Sequence, residues 1–320
     1  MRRVGIAVVA ALAMVLPGVA GATGSRRAAP RWRQRAPMAQ ARTEAAYALA
    51  GDEVYVVGGF VVELTNSTSV EVYDPAKDAW REGPPIPVAV NHASAAAVGK
   101  DVYVAGGYLA IVYGATNTFL VLRDGAPAWT PLAPMPETRA AAGMVRVGGR
   151  LYVVGGFTQQ GDLATTTLVY DLAAGTWSTQ SAPPTPREHL TVVTDGSRYV
   201  YAAGGRDGDP STNSATVERY DTVTRRWTRL PSLLTRRSGH VSALTSNGLL
   251  VSAGGEHATG VFDSVEAYDL RSGRRFALPP LEPGRTGFAG IARGTTFYVF
   301  SGASDAGYLD RTETLDLRGL

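Results

Sequence analysis

Val54-Tyr55-Val56-Val57-Gly58-Gly59, followed by Val70-Glu71-Val72-Tyr73-Asp74 and then Trp80, decides the fold, because the pattern returns along the whole chain. Glycine pairs close an apolar run at Gly58-Gly59, Gly106-Gly107, Gly155-Gly156, Gly204-Gly205 and Gly254-Gly255, with a degenerate Ser301-Gly302, at intervals of 48, 49, 49, 50 and 47 residues. An aromatic keeps step at Trp32, Trp80, Trp129, Trp177, Trp227 and Phe276. Self-similarity at a fixed period of this size marks a repeat architecture, and six units fill the chain.

Each unit reads as a four-stranded sheet. The run before the glycines is β-branched and aromatic, as in Leu151-Tyr152-Val153-Val154 and Phe297-Tyr298-Val299-Phe300, which makes it a short buried strand. A run of small residues precedes it (Ala93 to Val98, Ala140 to Val145), a Tyr-Asp strand follows, and the tryptophan strand ends the unit. Sheets that converge on an axis leave least room for their innermost strands, which explains the small side chains there. Glycine allows a positive φ and a close backbone approach, while Tyr and Trp fill the widening space between sheets. No unit covers its own faces, so stability is collective. The fold expected is an all-β, six-bladed propeller with four-stranded antiparallel blades.

Gly-Gly, then Val-Glu-x-Tyr-Asp, then Trp resembles the kelch repeat, a propeller blade of about 50 residues. Units 1, 3, 4 and 5 carry it best, with Tyr73-Asp74, Tyr170-Asp171, Tyr220-Asp221 and Tyr268-Asp269. Unit 2 has Leu122-Arg123 instead, and unit 6 has Leu315-Asp316 and no tryptophan strand of its own. Trp32 precedes every glycine pair and is therefore a spare outer strand. Residues 31–36 are expected to complete the last blade, as in many kelch propellers, removing exposed sheet edges.

Outside the repeats, Arg2 and Arg3 precede an apolar run from Val4 to Leu16 that ends in Pro17, Gly18 and small residues. This reads as a secretory signal peptide over residues 1–22, followed by a flexible basic stretch, 23–30, and the propeller, 31–320. The run is too short for a membrane span, which needs about 20 apolar residues. An exported protein, secreted or periplasmic and monomeric, is expected. With no cysteine, disulfides, thiol catalysis and cysteine metal sites are excluded. Setting Arg2 and Arg3 aside leaves 29 of the 31 basic residues against 28 acidic ones, without the one-sided basic face that nucleic acid requires.

The resemblance implies that ligands meet the face built from loops after the glycine pairs and loops leading into the innermost strands. The second set repeats an arginine, Arg42, Arg139, Arg187, Arg236 or Arg237, and Arg285, 16 to 18 residues before its closing pair; unit 2 has Val90 there, followed by Asn91-His92. These arginines either brace loops through backbone carbonyls or line the mouth and take anionic groups bidentately. The residue after each pair differs around the ring: Phe60, Tyr108 and Phe157 on one side, Arg206, Glu256 and Ala303 on the other. Such an asymmetry suits a sugar or a peptide, or else packs the loops. Tyr108 to Tyr113 is an apolar run that reads as a strand extension packed on unit 3, with a partner-binding lip as the other reading.

Four histidines occur, His92, His189, His240 and His257, with no His-x-x-x-His or Glu-x-x-His spacing, so no metal and no cofactor are expected. Asp207-Gly208-Asp209 lacks the remaining ligands of a calcium loop and reads as a turn. Glu188, His189 and Glu256 are the weak candidates for proton transfer. The copper oxidases sharing this propeller depend on a cysteine-linked tyrosine, which this chain cannot make. The leading reading is a non-enzymatic module that binds a carbohydrate or protein loop at the mouth through Arg42, Phe60, His92, Tyr108, Arg139, Phe157, Arg187, Arg206, Arg236, Arg237 and Arg285. The alternatives are a sugar epimerase or mutarotase acting on an acidic sugar such as sialic acid, and a purely structural envelope module.

Overall fold

The computed structural model describes residues 29–111 and 113–320. The signal peptide expected over 1–22, and the basic stretch as far as residue 28, lie outside them. Among the described residues no helix is long and apolar enough to cross a membrane.

Six four-stranded antiparallel sheets form the molecule. In blade 1 the strands run Ala46–Ala50, Glu53–Val57, Val70–Asp74 and Ala79–Gly83, from the axis outward. The innermost strand of each blade touches that of the next in cyclic order, from Ala46–Ala50 round to Ala289–Arg293 and back. Alternation along each strand sends side chains to both faces of its blade, so the apolar cores lie between neighbours. Val57, Val70 and Val72 of blade 1 meet Val102, Val104 and Leu120 of blade 2, and Val54, Val56 and Tyr73 meet Ala289, Ile291 and Phe300 of blade 6.

The glycine pairs set how closely the blades approach. The second glycine N–H of each pair donates to the carbonyl at the brace position of the following blade: Gly59 to Val90, Gly107 to Arg139, Gly156 to Arg187, Gly205 to Arg237, Gly255 to Arg285 and Gly302 to Arg42, at 2.7–2.9 Å. These six bonds close a ring. A Cβ on Gly106 would stand 2.1 Å from the Arg139 carbonyl oxygen, and one on Gly254 2.4 Å from that of Arg285, so even alanine has no place. Ser301 adopts the same left-handed backbone, with φ of 59°.

The repeated arginines turn inward, which corrects the expectation that Arg42, Arg139, Arg187, Arg237 and Arg285 line the mouth. All five are at most 2% exposed. Arg42 donates to the carbonyls of Gly58 and Ser69 and to Glu71. Arg187 does the same with the Thr216 carbonyl and Glu218, Arg237 with Gly254, Ser264 and Glu266, and Arg285 with Ser301 and Glu313. The glutamate of Val-Glu-x-Tyr-Asp is thus the counter-ion of its blade's arginine. Burial lowers the Arg187 pKa to about 10, against the pull of Glu218, and the guanidinium stays charged at neutral pH. Blade 3 has Leu168 in the glutamate's place, and Arg139 pairs with Glu137 and Thr166 instead. Blade 2 drops both charges together: Val90 and Leu120 share one apolar cluster.

The ring closes through the chain's two ends. Trp32–Gln34 pairs antiparallel with Thr312–Asp316, Trp32 opposite Leu315, and supplies the outer strand of blade 6. Each tryptophan indole N–H donates to a carbonyl of the preceding blade: Trp32 to Pro279, Trp80 to Ala36, Trp129 to Pro84, Trp177 to Ala133 and Trp227 to Ser181, all at 2.9 Å. Phe276 has no such donor, and the guanidinium of Arg275 reaches the equivalent Ser232 carbonyl at 2.7 Å.

Two outcomes test these devices. Trp32→Ala removes a closing side chain and its hydrogen bond, and is expected to cost about 2–4 kcal/mol, read as a single cooperative shift in thermal melting; an unchanged midpoint would show that closure contributes nothing. In blade 4, Glu218→Leu strands a buried guanidinium at a cost of about 3–5 kcal/mol. Adding Arg187→Val, which copies the apolar pairing of blade 2, is expected to recover most of that loss in a urea-denaturation double-mutant cycle.

Candidate functional site

Two residues beyond each brace position the backbone turns left-handed in every blade, at Glu44, His92, Ala141, His189, Gly239 and Gly287, with φ between 46° and 62°. Their amides form a second closed ring, each N–H donating to the carbonyl of the equivalent residue in the preceding blade: Glu44 to Gly287, His92 to Glu44, Ala141 to His92, His189 to Ala141, Gly239 to His189 and Gly287 to Gly239, at 2.6–3.1 Å. The ring narrows the mouth of the axial channel and converges the side chains of blades 1, 2 and 4. Glycine in blades 5 and 6 leaves the room they occupy: a Cβ on Gly287 would fall 2.3 Å from Glu44 Oε1.

The residues between brace and ring pair with those that follow the glycine pairs, through antiparallel bridges Thr43–Phe60, Asn91–Tyr108, Ala140–Phe157, Glu188–Arg206, Ser238–Glu256 and Thr286–Ala303. Both loop sets are thereby locked over the channel. Arg206 Nε donates to Glu188 Oε1 at 2.6 Å, and its terminal nitrogen reaches Glu256 and, at 3.3 Å, Ser238 Oγ. The other oxygen of Glu188, which is fully buried, contacts His189 Nδ1. His189 Nε2 lies 2.9 Å from His92 Nε2, which in turn lies 3.4 Å from Glu44 Oε2. His92 Nδ1 contacts Asn91 Oδ1, and Asn91 Nδ2 donates to Asn66 Oδ1 at 2.7 Å and to the Ala110 carbonyl at 2.9 Å.

Burial governs the charges. It raises the Glu44 pKa to about 8, helped by the charge of Glu256 and opposed by Arg206. Burial, with Arg206 nearby, lowers His92 to about 3, and burial with His92 and Arg206 holds His189 well below the usual histidine range. Both imidazoles are neutral at neutral pH. Below them the channel forms a cavity of about 130 Å³ lined by Glu44, Tyr47, His92, His189, Thr191 and His240 among others. That is small beside the roughly 300–1,000 Å³ of ordinary small-molecule pockets.

Glu188, His189, Glu256, Arg206 and His92 are brought together at one mouth, as a cluster that Glu44, Asn91 and Ser238 complete. Those three escaped sequence reasoning; a count of one and two residues beyond each brace would have found them. Glu188 and Arg139 share no partner, since Arg139 is held by Glu137 and Thr166. Phe60 and Tyr108 are buried and pack edge-to-face with His92, ring centroids 5.8 and 5.6 Å apart, so they offer no open face. Phe157 is half-buried against Tyr108, Ala115 and Ala140. Arg236 alone of the arginine set is exposed, beside a depression of about 520 Å³ shared with Arg206, Asp207 and Thr212. Asp209 caps the turn Pro210–Thr212, in keeping with a plain turn at Asp207-Gly208-Asp209.

Arg206→Ala leaves the fully buried Glu188 carboxylate without its cation and is expected to cost about 3–5 kcal/mol by urea denaturation. Adding Glu188→Gln should return much of that stability; a neutral Arg206→Ala would mean that this ion network is incidental.

The KLHDC2/KLHL20/DRC7 Kelch-repeats domain matches residues 91–302, and the Kelch motif matches residues 41–87. Kelch-like protein terF of Aspergillus terreus is 30% identical over 250 residues, covering 71% of this chain and 54% of that protein. Kelch-like protein 25 of Homo sapiens is 33% identical over 129 residues, covering 38% of this chain and 22% of its own length. The chain therefore matches about half or less of these curated relatives. The solved structure of YjhT superposes with a TM-score of 0.77 at 16% identity, covering 88% of this chain and 97% of that one, a likeness of fold.

Proposed function

Because this chain belongs to the kelch-repeat family, we propose that it works as a protein-interaction module and that its partner docks on the mouth face over blades 1 and 2. The observation that carries this reading is a lip of exposed apolar side chains beside the polar mouth. Val62 and Leu64 project from the loop after Gly58-Gly59, and Leu109, Ile111 and Tyr113 from the loop after Gly106-Gly107, with Val62 72% and Tyr113 74% exposed. Tyr108 itself packs on Ala140 and Phe157 of blade 3, in line with the expectation for this run, whereas the exposure of Leu109, Ile111 and Tyr113 departs from it. Asn66 Nδ2 donates to the Tyr108 carbonyl at 3.3 Å, tying the two loops together, and a Leu109–Gly114 backbone bond holds the second in a turn.

Such a patch, apolar and rimmed by polar groups, is what a partner protein buries. The shielded Phe60 and Tyr108 and the narrow channel favour a protein segment over a stacked sugar. Leu109→Asp with Tyr113→Asp is expected to weaken peptides selected on the wild-type protein by at least about tenfold, while melting changes by no more than about 0.5 kcal/mol. Binding that survives both charges would place the docking surface elsewhere.

We further propose that the chain is exported, on the strength of its charged and then apolar first 22 residues. N-terminal sequencing of protein from the culture medium or periplasm should begin at Gly21 or Thr23; an intact Met1 there would overturn export by cleavage.

A further inference from the structure

The polar mouth has a feature that protein docking does not need: two imidazole Nε2 atoms 2.9 Å apart with a carboxyl oxygen beside them. The hydrogen-bond network assigns the His92 tautomer. Asn91 Nδ2 donates to the Ala110 carbonyl, which can only accept, so Asn91 Oδ1 faces His92 and the proton sits on His92 Nδ1. Glu188 Oε2, buried and without a hydrogen-bond donor, lies against His189 Nδ1, and Arg206 reaches the same nitrogen at 3.4 Å. His92 thus spends its N–H on Asn91 and turns its Nε2 lone pair toward His189 Nε2, 2.9 Å away.

We propose that Glu44, His92 and His189 bind one first-row divalent transition-metal ion at the mouth of the channel. One ligating atom from each lies within 4.8 Å of the other two. Ligand atoms each about 2.0–2.1 Å from one ion stand about 2.9–3.4 Å apart, and two of the three pairs here, His92 Nε2 with His189 Nε2 and with Glu44 Oε2, measure 2.9 and 3.4 Å. Imidazole suits zinc, iron, nickel and copper, and two histidines with one carboxylate leave coordination positions open, here toward the cavity. Asn91 supplies His92 with the outer hydrogen bond that metal-ligating histidines characteristically have, and the unpartnered Glu188 Oε2 stands against Nδ1 of His189 to do the same. Around the site two carboxylates, Glu188 and Glu256, share the single guanidinium of Arg206, an excess of negative charge that a dication offsets. The other five central arginines have their own acidic or apolar surroundings within the blades and lend no charge here.

The full chain, stripped with EDTA, is titrated with Zn²⁺ by calorimetry and with Co²⁺ by visible absorption. The expected result is one ion per chain, with cobalt d–d bands that zinc abolishes. His92→Ala and His189→Ala should each weaken binding by at least about a hundredfold, Glu188→Gln by about 10–100-fold, and His257→Ala, in the two-stranded ribbon that Glu256–His257 forms with Gly260–Val261, not at all. If either alanine variant fails to melt cooperatively, His92→Asn and Glu44→Gln take its place with the same expectation. No stoichiometric ion, or an ion bound equally well by the His92 and His189 variants or lost with His257, would overturn the assignment.

Discussion

The contact on which the rest of this molecule depends is a backbone one, the donation from the second glycine of each blade to the brace-position carbonyl of the next. A hydrogen bond between main chains fixes the blades at backbone contact distance, leaving no volume for a Cβ at the first glycine. That is why a side-chain-free pair recurs five times, with Ser301-Gly302 in the sixth place, while most other positions drift. The apolar cores between blades supply the larger part of the stability, but they are tolerant of exchange among Val, Leu, Ile and Phe. The glycine contact admits a side chain only at Ser301, and so it sets the period.

Close approach also buries backbone carbonyls that water can no longer reach. The brace arginine answers that need, satisfying carbonyls of Gly58 and Ser69, of Thr216, or of Gly254 and Ser264 with one planar group. A buried guanidinium then requires a buried carboxylate, and the Glu of Val-Glu-x-Tyr-Asp provides it. Blade 2 shows the alternative solution: where Val90 replaces the arginine, Leu120 replaces the glutamate, because either charge alone costs far more than neither. The same compensation links Phe276 and Arg275, where a guanidinium takes over the hydrogen bond of a missing indole.

The architecture was readable from the repeat because glycine, tryptophan and Tyr-Asp each answer a constraint local to one blade. The role of the arginines was not. Sequence places them in mouth-forming loops, and only the register between Arg42 and Glu71, or Arg187 and Glu218, turns them into the blade. The mouth cluster was half visible. Glu188 and His189 are neighbours in the chain, but Glu44, His92 and Arg206 come from three different blades, 48 to 162 residues apart. A motif search looks along the chain, whereas a propeller gathers its site across the ring, one or two residues from each unit.

The ring of left-handed residues carries one more step of inference. Glycine holds this conformation at Gly239 and Gly287 without steric cost, whereas a residue with a Cβ pays about 1–2 kcal/mol for it. Ala141 shows that the cost is borne where the side chain does nothing polar. At Glu44, His92 and His189 it is borne by the three side chains that converge, and in two of them burial further disfavours a charge on the imidazole. Propeller closure needs only the backbone of these positions. Their side chains, strained in backbone, desolvated, and set against Asn91 and Glu188, are therefore what the mouth adds to the scaffold.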